Sequence, residues 1–349
     1  MGLFFCEGCP LGYSAIGGQT LNPYGRKKFE TGGSSSGSGA AVAANYAVAA
    51  VGTETSGSIT SPSSQNSVVG LKPGPGVLSR SGIVPISSTL DTPGPMTKFV
   101  VDNLILLDGM IGQDPKDVQN TVYKSSTFNT IAFDSIVNAF SKRKVGVFSY
   151  LYSDTIYKQT IDKITSFGAN VLNLKPEEMS YTGFLNLLTT DMRNDLSKYL
   201  KTMSADTTSI QNTEQIVAFN KKDSVKRMPY GQKLLYGIVK DTTTEASLHK
   251  LKNTLKKNAQ KYLGALSKKS VSVILSINNY HSGVAALAGY PTLTIPMGYR
   301  SSVEPVSLTL IGLPDSEQEL LTMGFTFEKQ IKIRRSPKNY NQIVCKILI

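Results

Sequence analysis

Hydrophobic and polar positions along the chain predict alternating helices and strands. The apolar residues 144–150 predict a buried strand, residues 154–167 have the spacing of an amphipathic helix, and residues 170–174 predict a second strand. Gly168 stands where such a helix ends. A strand, a helix and a strand in this order form a βαβ unit, so we expect a parallel strand pair with a right-handed crossover.

The remaining segments continue this pattern. The Ala-rich segment Ser38–Val51 predicts a buried helix after a Gly/Ser loop, residues 81–87 predict a strand, and residues 89–96 predict a loop because of their Pro and Gly. Further helices are predicted in residues 100–112, 185–203, 247–266, 281–288 and 316–333, and further strands in residues 270–277, 292–298 and 306–312.

Length and charge limit the class of protein. A chain of 349 residues allows one or two domains, and 40% hydrophobic residues provide enough material for a core. The net charge of +12 raises the question of nucleic acid. However, the basic residues are scattered and no aromatic residues interleave their densest groups, so we expect a solvated basic surface and no nucleic-acid partner.

The sequence predicts neither a membrane span nor a metal site. No run of 18 apolar residues is present, and the first residues lack the features of a secretory signal, so a soluble, by default cytoplasmic, protein is expected. Cys6 and Cys9 match C-x-x-C, but no second ligand pair for zinc and no redox-type helix follows. With Cys345 the cysteine count is odd, which argues against a disulfide framework. No metal or cofactor is expected.

Two serine-rich loops enclose one apolar element between Thr31 and Pro62. A flexible linker would not normally continue into an apolar segment of fixed length and then a second Gly/Ser loop. A P-loop would end in Gly-Lys-Ser/Thr, and residues 37–40 have neither that Lys nor the spacing of a dinucleotide fingerprint. The two loops are therefore predicted to face each other.

Four sequence blocks, in order, resemble the amidase signature family: GGSSSGSGAAVAA from Gly32, GTETSGSI from Gly52, VVGLKP from Val68 and VPISSTLDTPGPMTK from Val84. The later YPTLTIPMG resembles the family's closing region, and the segment 216–235 favours the peptide-amidase branch. The resemblance implies an α/β fold with a large mixed central sheet covered by helices on both faces. It also implies one domain over residues 1–349, with a tail of uncertain order at residues 336–349.

The same resemblance implies hydrolysis of an amide C–N bond by a Ser, cis-Ser, Lys mechanism. By position, Ser58 is the nucleophile and Ser34 is the cis-peptide serine that relays its proton. Backbone N–H groups of Thr55, Ser56, Gly57 and Ser58 would form the oxyanion hole. A serine hydroxyl is a poor nucleophile at neutral pH, so it needs a base that accepts its proton, here the Lys through the relay serine. Hydrogen-bond donors to the oxyanion contribute a few kcal/mol to catalysis.

No lysine of this chain can be assigned to the triad. The family's Lys lies farther upstream than the 33 residues that precede Ser34. Lys27 and Lys28 lie in a polar turn and are expected at the surface, whereas Lys72 belongs to a different block of the family. We therefore expect an amidase that is shortened at its amino terminus and has impaired activity.

Several alternatives remain open. A small carboxamide or a peptide C-terminal amide is the implied substrate, but the chain could also be a non-catalytic remnant or an amidotransferase A-type subunit that acts in a complex on aminoacyl-tRNA. A Ser/His/Asp triad with His281 and Asp91 is a weaker competitor without supporting spacing, since His281 is better explained by a local hydrogen bond. Glu54 is either the family's acidic residue behind the loop or a loop cap. Oligomeric state stays undetermined.

Overall fold

The computed structural model describes residues 8–120, 138–203, 209–268 and 270–338. Its strands are β1 (Tyr13–Ser14), β2 (Gly18–Gln19), β3 (Ala49–Glu54), β4 (Val69–Lys72), β5 (Thr92–Thr97), β6 (Lys144–Phe148), β7 (Asn170–Leu174), β8 (Val273–Ile277), β9 (Thr292–Tyr299) and β10 (Pro305–Ile311). Its helices are α1 (Ser36–Ala43), α2 (Thr60–Gln65), α3 (Val100–Met110), α4 (Thr155–Ser166), α5 (Phe184–Met203), α6 (Thr213–Lys221), α7 (Ser224–Arg227), α8 (Lys233–Lys240), α9 (Glu245–Tyr262), α10 (Gly264–Ser267), α11 (Ser282–Ala288) and α12 (Glu317–Ile331).

Eight of these strands form one sheet in the order β3-β5-β4-β9-β10-β8-β6-β7. The pairs of β6 with β7 and β8 are parallel, and the other pairs of this sheet are antiparallel. The predicted mixed sheet and the βαβ unit of β6, α4 and β7 are thereby confirmed. Asp154 caps α4 by accepting hydrogen bonds from the backbone of Ile156 and Tyr157, and Gly168 follows the helix with a φ of +88°.

Helices cover both faces of the sheet, as predicted. Gly70 and Leu71 are neighbours on β4 and so point to opposite faces. A Cβ at Gly70 would lie 2.0 Å from Ser63 Oγ, so α2 lies on that face. Leu71 pairs with Leu293 of β9, against which Gly324 of α12 packs closely, so α12 covers the other face. Small residues let both helices approach the sheet backbone.

The predicted helix over Ser38–Val51 is wrong in its second half. The helix α1 ends at Ala43, Asn45 has a φ of +64°, and residues from Ala49 onward form strand β3. Strand β3 pairs with β5 along its whole length, from Ala49↔Thr97 to Glu54↔Thr92. Tertiary pairing here overrides the helix propensity of alanine.

Of the two predictions for residues 81–96, the first is wrong and the second is wrong in part. Residues 81–87, predicted as a strand, form no strand. Of the predicted loop 89–96, residues 89–91 lie outside any strand as expected, whereas residues 92–96 belong to the buried strand β5. Proline is normally confined to edge strands because it lacks an N–H. Here β5 keeps its pairing with β3, while β4 pairs only with Met96 and Thr97, beyond the two prolines.

Parts of two predictions lie outside the described residues. These are Cys6, Cys345 and most of the 336–349 tail. Cys9 takes part in a disulfide, which the odd cysteine count gave no reason to expect. Among the described helices, none combines the length and apolar character needed to cross a membrane.

Candidate active site

A cavity of about 420 Å³ opens between the two serine-rich loops. Ser34 of the first loop and Ser58 of the second both line it, together with Thr55, Ser56 and Gly57. The structure thus brings all five predicted site residues to one cavity, although they come from loops separated by helix α1 and strand β3.

Ser35 joins the two loops. Its backbone N–H donates to the carbonyl of Ser58 at 3.1 Å, and its hydroxyl exchanges hydrogen bonds of 3.0 Å with the backbone of Thr53. The peptide bond between Gly33 and Ser34 is cis. The hydrogen bonds of Ser35 hold the first loop against the end of β3, where the second loop begins.

Glu54 closes the second loop from behind. Its Oε2 accepts hydrogen bonds from the backbone N–H groups of Ile59 and Thr60 at 2.8 Å and from the Thr60 hydroxyl at 2.9 Å. The residue is 1% exposed. Glu54 therefore acts as a loop cap that joins the end of β3 to the start of α2 and so fixes the path of residues 55–58.

Two glycines make this packing possible. Gly57 has a φ of +110°, which L side chains rarely adopt, and a Cβ there would lie 3.5 Å from Ser282. Gly32 has a φ of +70°, and a Cβ there would lie 2.7 Å from the backbone of Pro62. The first loop thus rests directly on the start of α2.

No lysine lines the cavity within the described ranges. Lys27 and Lys28 are exposed, as predicted. Lys72 is buried and lies near the carboxylates of Glu54 and Glu317; burial lowers its pKa although both carboxylates act to raise it. Lys72 faces this buried charge cluster and is absent from the cavity lining.

The alternative triad of His281 and Asp91 is not assembled. Nδ1 of His281 hydrogen-bonds the hydroxyl of Ser276 at 2.5 Å, and Nε2 hydrogen-bonds those of Tyr150 and Tyr262 at 2.7 and 3.2 Å. Burial lowers the pKa of His281 to about 4, so its imidazole is neutral at pH 7. His281 is therefore a hydrogen-bonded core residue with neither Ser58 nor Asp91 among its partners.

Asp91 instead contacts the loop that carries Thr55, a role that sequence reasoning missed. Its Oδ1 accepts a hydrogen bond of 2.6 Å from the Thr55 hydroxyl, and its Oδ2 accepts bonds of 2.8 Å from the backbone of Ile86 and Ser87. Burial raises the pKa of Asp91 to about 6, and these hydrogen bonds act in the opposite direction.

Apolar side chains from four separate segments complete the cavity: Leu11, Val51, Val84, Pro85, Ile86, Leu188 and Met192. Sequence reasoning did not identify them. The one available signal was the spacing of Leu188 and Met192, which places both on one face of α5. Asn279 also lines the cavity, and the described lining contains no charged side chain.

The amidase family's sequence profile matches residues 9–276. The chain therefore belongs to the amidase family. It is 30% identical over 346 residues to a probable amidase of Arabidopsis thaliana, covering 94% of this chain and 65% of that protein. It is also 28% identical to the A-type subunit of the glutamyl-tRNA(Gln) amidotransferase of Zymomonas mobilis, covering 93% of this chain and 72% of that protein.

Solved structures of amidases resemble this one closely. An amidase family protein from Bacillus anthracis has a TM-score of 0.87 at 35% identity, covering 95% of this chain and 67% of that one. The native peptide amidase of Stenotrophomonas maltophilia has a TM-score of 0.84 at 30% identity, covering 96% and 73%. The predicted likeness to peptide amidase is thereby confirmed.

This amidase-family chain is shorter than its relatives. It spans 65% of the Arabidopsis protein and 61% of a putative amidase of Arthroderma benhamiae. Within the described ranges, no three His, Cys, Asp or Glu side chains come together so that they could hold a metal ion.

Proposed function

We propose that this chain hydrolyses the C–N bond of uncharged amides, with Ser58 as the nucleophile and Ser34 as its proton relay. The observation that carries this proposal is the meeting of both serines at one cavity with the backbone of residues 55–58. Membership of the amidase family supports the reaction class.

In the proposed reaction, Ser58 Oγ forms a bond to the amide carbon, and its proton passes to the Ser34 hydroxyl, whose own proton moves on to a base. The carbonyl oxygen becomes an oxyanion that accepts hydrogen bonds from the backbone of residues 55–58. The C–N bond breaks as Ser34 returns a proton to the nitrogen. Water then hydrolyses the ester on Ser58 and releases the carboxylic acid.

The proton relay needs a base, and we assign that role to none of the described residues. Lys72 lies in a buried charge cluster, and no lysine in the described part of the chain lines the cavity. A relay without a base leaves the hydroxyl of Ser58 a poor nucleophile. We therefore expect slow turnover of amides, while a more electrophilic probe still reacts with Ser58.

The cavity lining indicates the kind of amide that fits. Its seven apolar side chains favour an apolar acyl group, because a carboxylate placed against them would lose its hydration without gaining a cationic partner. A peptide C-terminal amide with an apolar last residue, or an apolar small carboxamide, meets this condition. An amide with a free carboxylate does not.

Two alternatives are less well supported. The resemblance to the peptide amidase, with a TM-score of 0.84 at 30% identity, supports a peptide-amidase-type activity over a role in a complex on aminoacyl-tRNA. A non-catalytic remnant would keep the cavity and lose the reactivity of Ser58.

Labelling with a fluorophosphonate probe tests the nucleophile. We expect the parent chain to be labelled on Ser58, as located by peptide mass spectrometry, and Ser58→Ala to remain unlabelled. Ser38→Ala is the matched control, because Ser38 lines the same cavity and its hydroxyl donates to the carbonyl of Val51. It should be labelled like the parent.

Two outcomes would count against the proposal. Equal labelling of the parent and Ser58→Ala would show that Ser58 is not the nucleophile, and no labelling of a folded parent would favour the non-catalytic remnant.

The substrate class is tested by comparing the initial hydrolysis rates of N-acetyl-leucinamide and N-acetyl-aspartic acid α-amide. A rate for the charged amide that equals or exceeds that of the apolar one would contradict the apolar acyl site.

A further inference from the structure

Asp91 lies at the point where two walls of the cavity meet. Strands β3 and β5 pair in antiparallel register, with Glu54 opposite Thr92. Continuing this register by one residue places Thr55 opposite Asp91, where side chains of directly opposed residues approach each other. The Thr55 hydroxyl donates a hydrogen bond of 2.6 Å to Asp91 Oδ1 and so joins the two residues. Asp91 therefore links the residue just before β5 to the first residue of the nucleophile loop.

The other carboxylate oxygen holds the apolar wall. Oδ2 of Asp91 accepts the backbone N–H groups of Ile86 and Ser87, both at 2.8 Å, and Ile86 lines the cavity. One buried carboxylate, 8% exposed, thus accepts three hydrogen bonds from two different walls of the cavity. A displacement of either wall would leave a buried oxygen without its donor, which is costly.

Helix α5 fixes the same wall from its outer side. Asp191 accepts hydrogen bonds from the hydroxyls of Ser87 and Thr89 at 2.5 and 2.6 Å, and Lys252 pairs with it at 2.7 Å. Asp195 accepts the backbone N–H of Ser88 at 2.9 Å. Residues 86–89 are therefore held on an anchored platform, and Asp91 is the residue that joins this platform to Thr55.

We infer that Asp91 is a positioning residue for the reaction at Ser58: its carboxylate fixes Thr55, and through it the backbone donors of residues 55–58, relative to the acyl-binding wall. This inference rests on the proposed role of those donors. It assigns Asp91 no contact with the substrate. A shift of about 1 Å in such donors costs up to about a hundredfold in rate.

At position 91 the geometry requires one oxygen that accepts the two backbone N–H groups and a second polar atom that hydrogen-bonds the Thr55 hydroxyl. It does not require a negative charge. In Asp91→Asn, the amide oxygen can accept the N–H groups of Ile86 and Ser87 while its NH₂ donates to Thr55 Oγ1. A second, smaller cavity is lined by Asp91 together with five charged residues: Arg80, Lys116, Asp117, Asp195 and Lys198. Arg80 pairs with Asp117 at 2.6 Å, and its charge also acts to lower the pKa of Asp91, against the larger effect of burial.

A double-mutant cycle on the fluorophosphonate labelling rate tests this inference. Thr55→Val and Asp91→Ala should each lower the maximal labelling rate at Ser58 by about tenfold or more, with half-saturation by the probe changed less than twofold. The double variant should react no more slowly than Asp91→Ala, because both changes remove the same contact. Asp91→Asn should stay within about threefold of the parent.

Asp195→Ala is the matched control, because Asp195 holds the same platform through Ser88 and is not among the hydrogen-bond partners of Thr55. It should lower stability without changing the labelling rate. Multiplicative losses in the double variant, a loss in Asp91→Asn as large as in Asp91→Ala, or an equal loss in Asp195→Ala would each overturn the inference.

Hydrogen exchange keeps the test independent of reactivity. If the parent is not labelled, the proposed function fails, but the positioning role is still measurable in the peptide that covers residues 53–60. Its amides should exchange faster in Thr55→Val and Asp91→Ala than in the parent and Asp195→Ala. Unchanged exchange in both variants would show that Asp91 does not position the loop.

Discussion

Replacing Gly32 by alanine tests the packing of the first serine loop on helix α2. The new Cβ would lie 2.7 Å from Cα and N of Pro62 and 2.8 Å from the carbonyl carbon of Ser61. All three are backbone atoms, so no side-chain rotation relieves the contact. The backbone at Gly32 or at Ser61 and Pro62 would have to move. Because Gly32 lies two residues before Ser34, such a movement would displace the first serine loop.

The expected loss combines three terms. The φ of +70° at Gly32 costs an alanine about 1–2 kcal/mol, and overpacking adds about 1–3 kcal/mol. Reduced freedom of the unfolded chain offsets about 0.4–1 kcal/mol. We therefore expect Gly32→Ala to lower the free energy of unfolding by about 1–4.5 kcal/mol.

Gly37→Ala is the matched control. Gly37 lies in helix α1, only five residues further along, and a Cβ there would meet nothing within 4 Å. Because alanine favours a helix over glycine, Gly37→Ala should raise stability by about 0.5–1 kcal/mol. Urea unfolding followed by circular dichroism measures both variants, since the chain has no Trp to report by fluorescence. If Gly32→Ala is as stable as Gly37→Ala, the described contact of the first serine loop with the start of α2 is wrong.

Three further predictions concern buried groups. The pKa of Asp91, about 6 against an ordinary 3.8, means that the folded chain binds more protons than the unfolded chain between these values. Its stability relative to Asp91→Asn should therefore fall by about 3 kcal/mol in all as the pH rises from about 3 to about 7, with about 2 kcal/mol of the loss between pH 4 and 6; a rise in urea titrations would refute the burial argument. Met192 is 1% exposed, so Met192→Ala should lower the free energy of unfolding by about 2–4 kcal/mol. It should also reduce the preference for N-acetyl-leucinamide over N-acetyl-aspartic acid α-amide, and an unchanged preference would show that Met192 does not belong to the acyl site. Tyr157→Phe removes a hydrogen bond of 2.8 Å to the carbonyl of Leu275 and should cost about 1 kcal/mol in the same titrations, whereas no loss would indicate that the carbonyl finds another donor.

Local patterns were sufficient where an element depends on its own residues. The βαβ unit of β6, α4 and β7 follows from apolar runs, an N-cap at Asp154 and a terminating Gly168, all within one short segment. Patterns failed where pairing with distant residues decides the conformation. Strand β5 carries two prolines and has the local pattern of a loop, yet it is buried between β3 and β4.

The sequence by itself determined the family blocks, the α/β class and the placement of Ser34 and Ser58 on two loops, because each of these depends on neighbouring residues. Only the tertiary structure decided what surrounds the serines. Thr55 and Asp91 are 36 residues apart, and Leu11 and Met192 reach one cavity from opposite ends of the first two hundred residues. Hydrogen bonds and apolar contacts at such separations depend on strand register and helix packing, and no local periodicity encodes them.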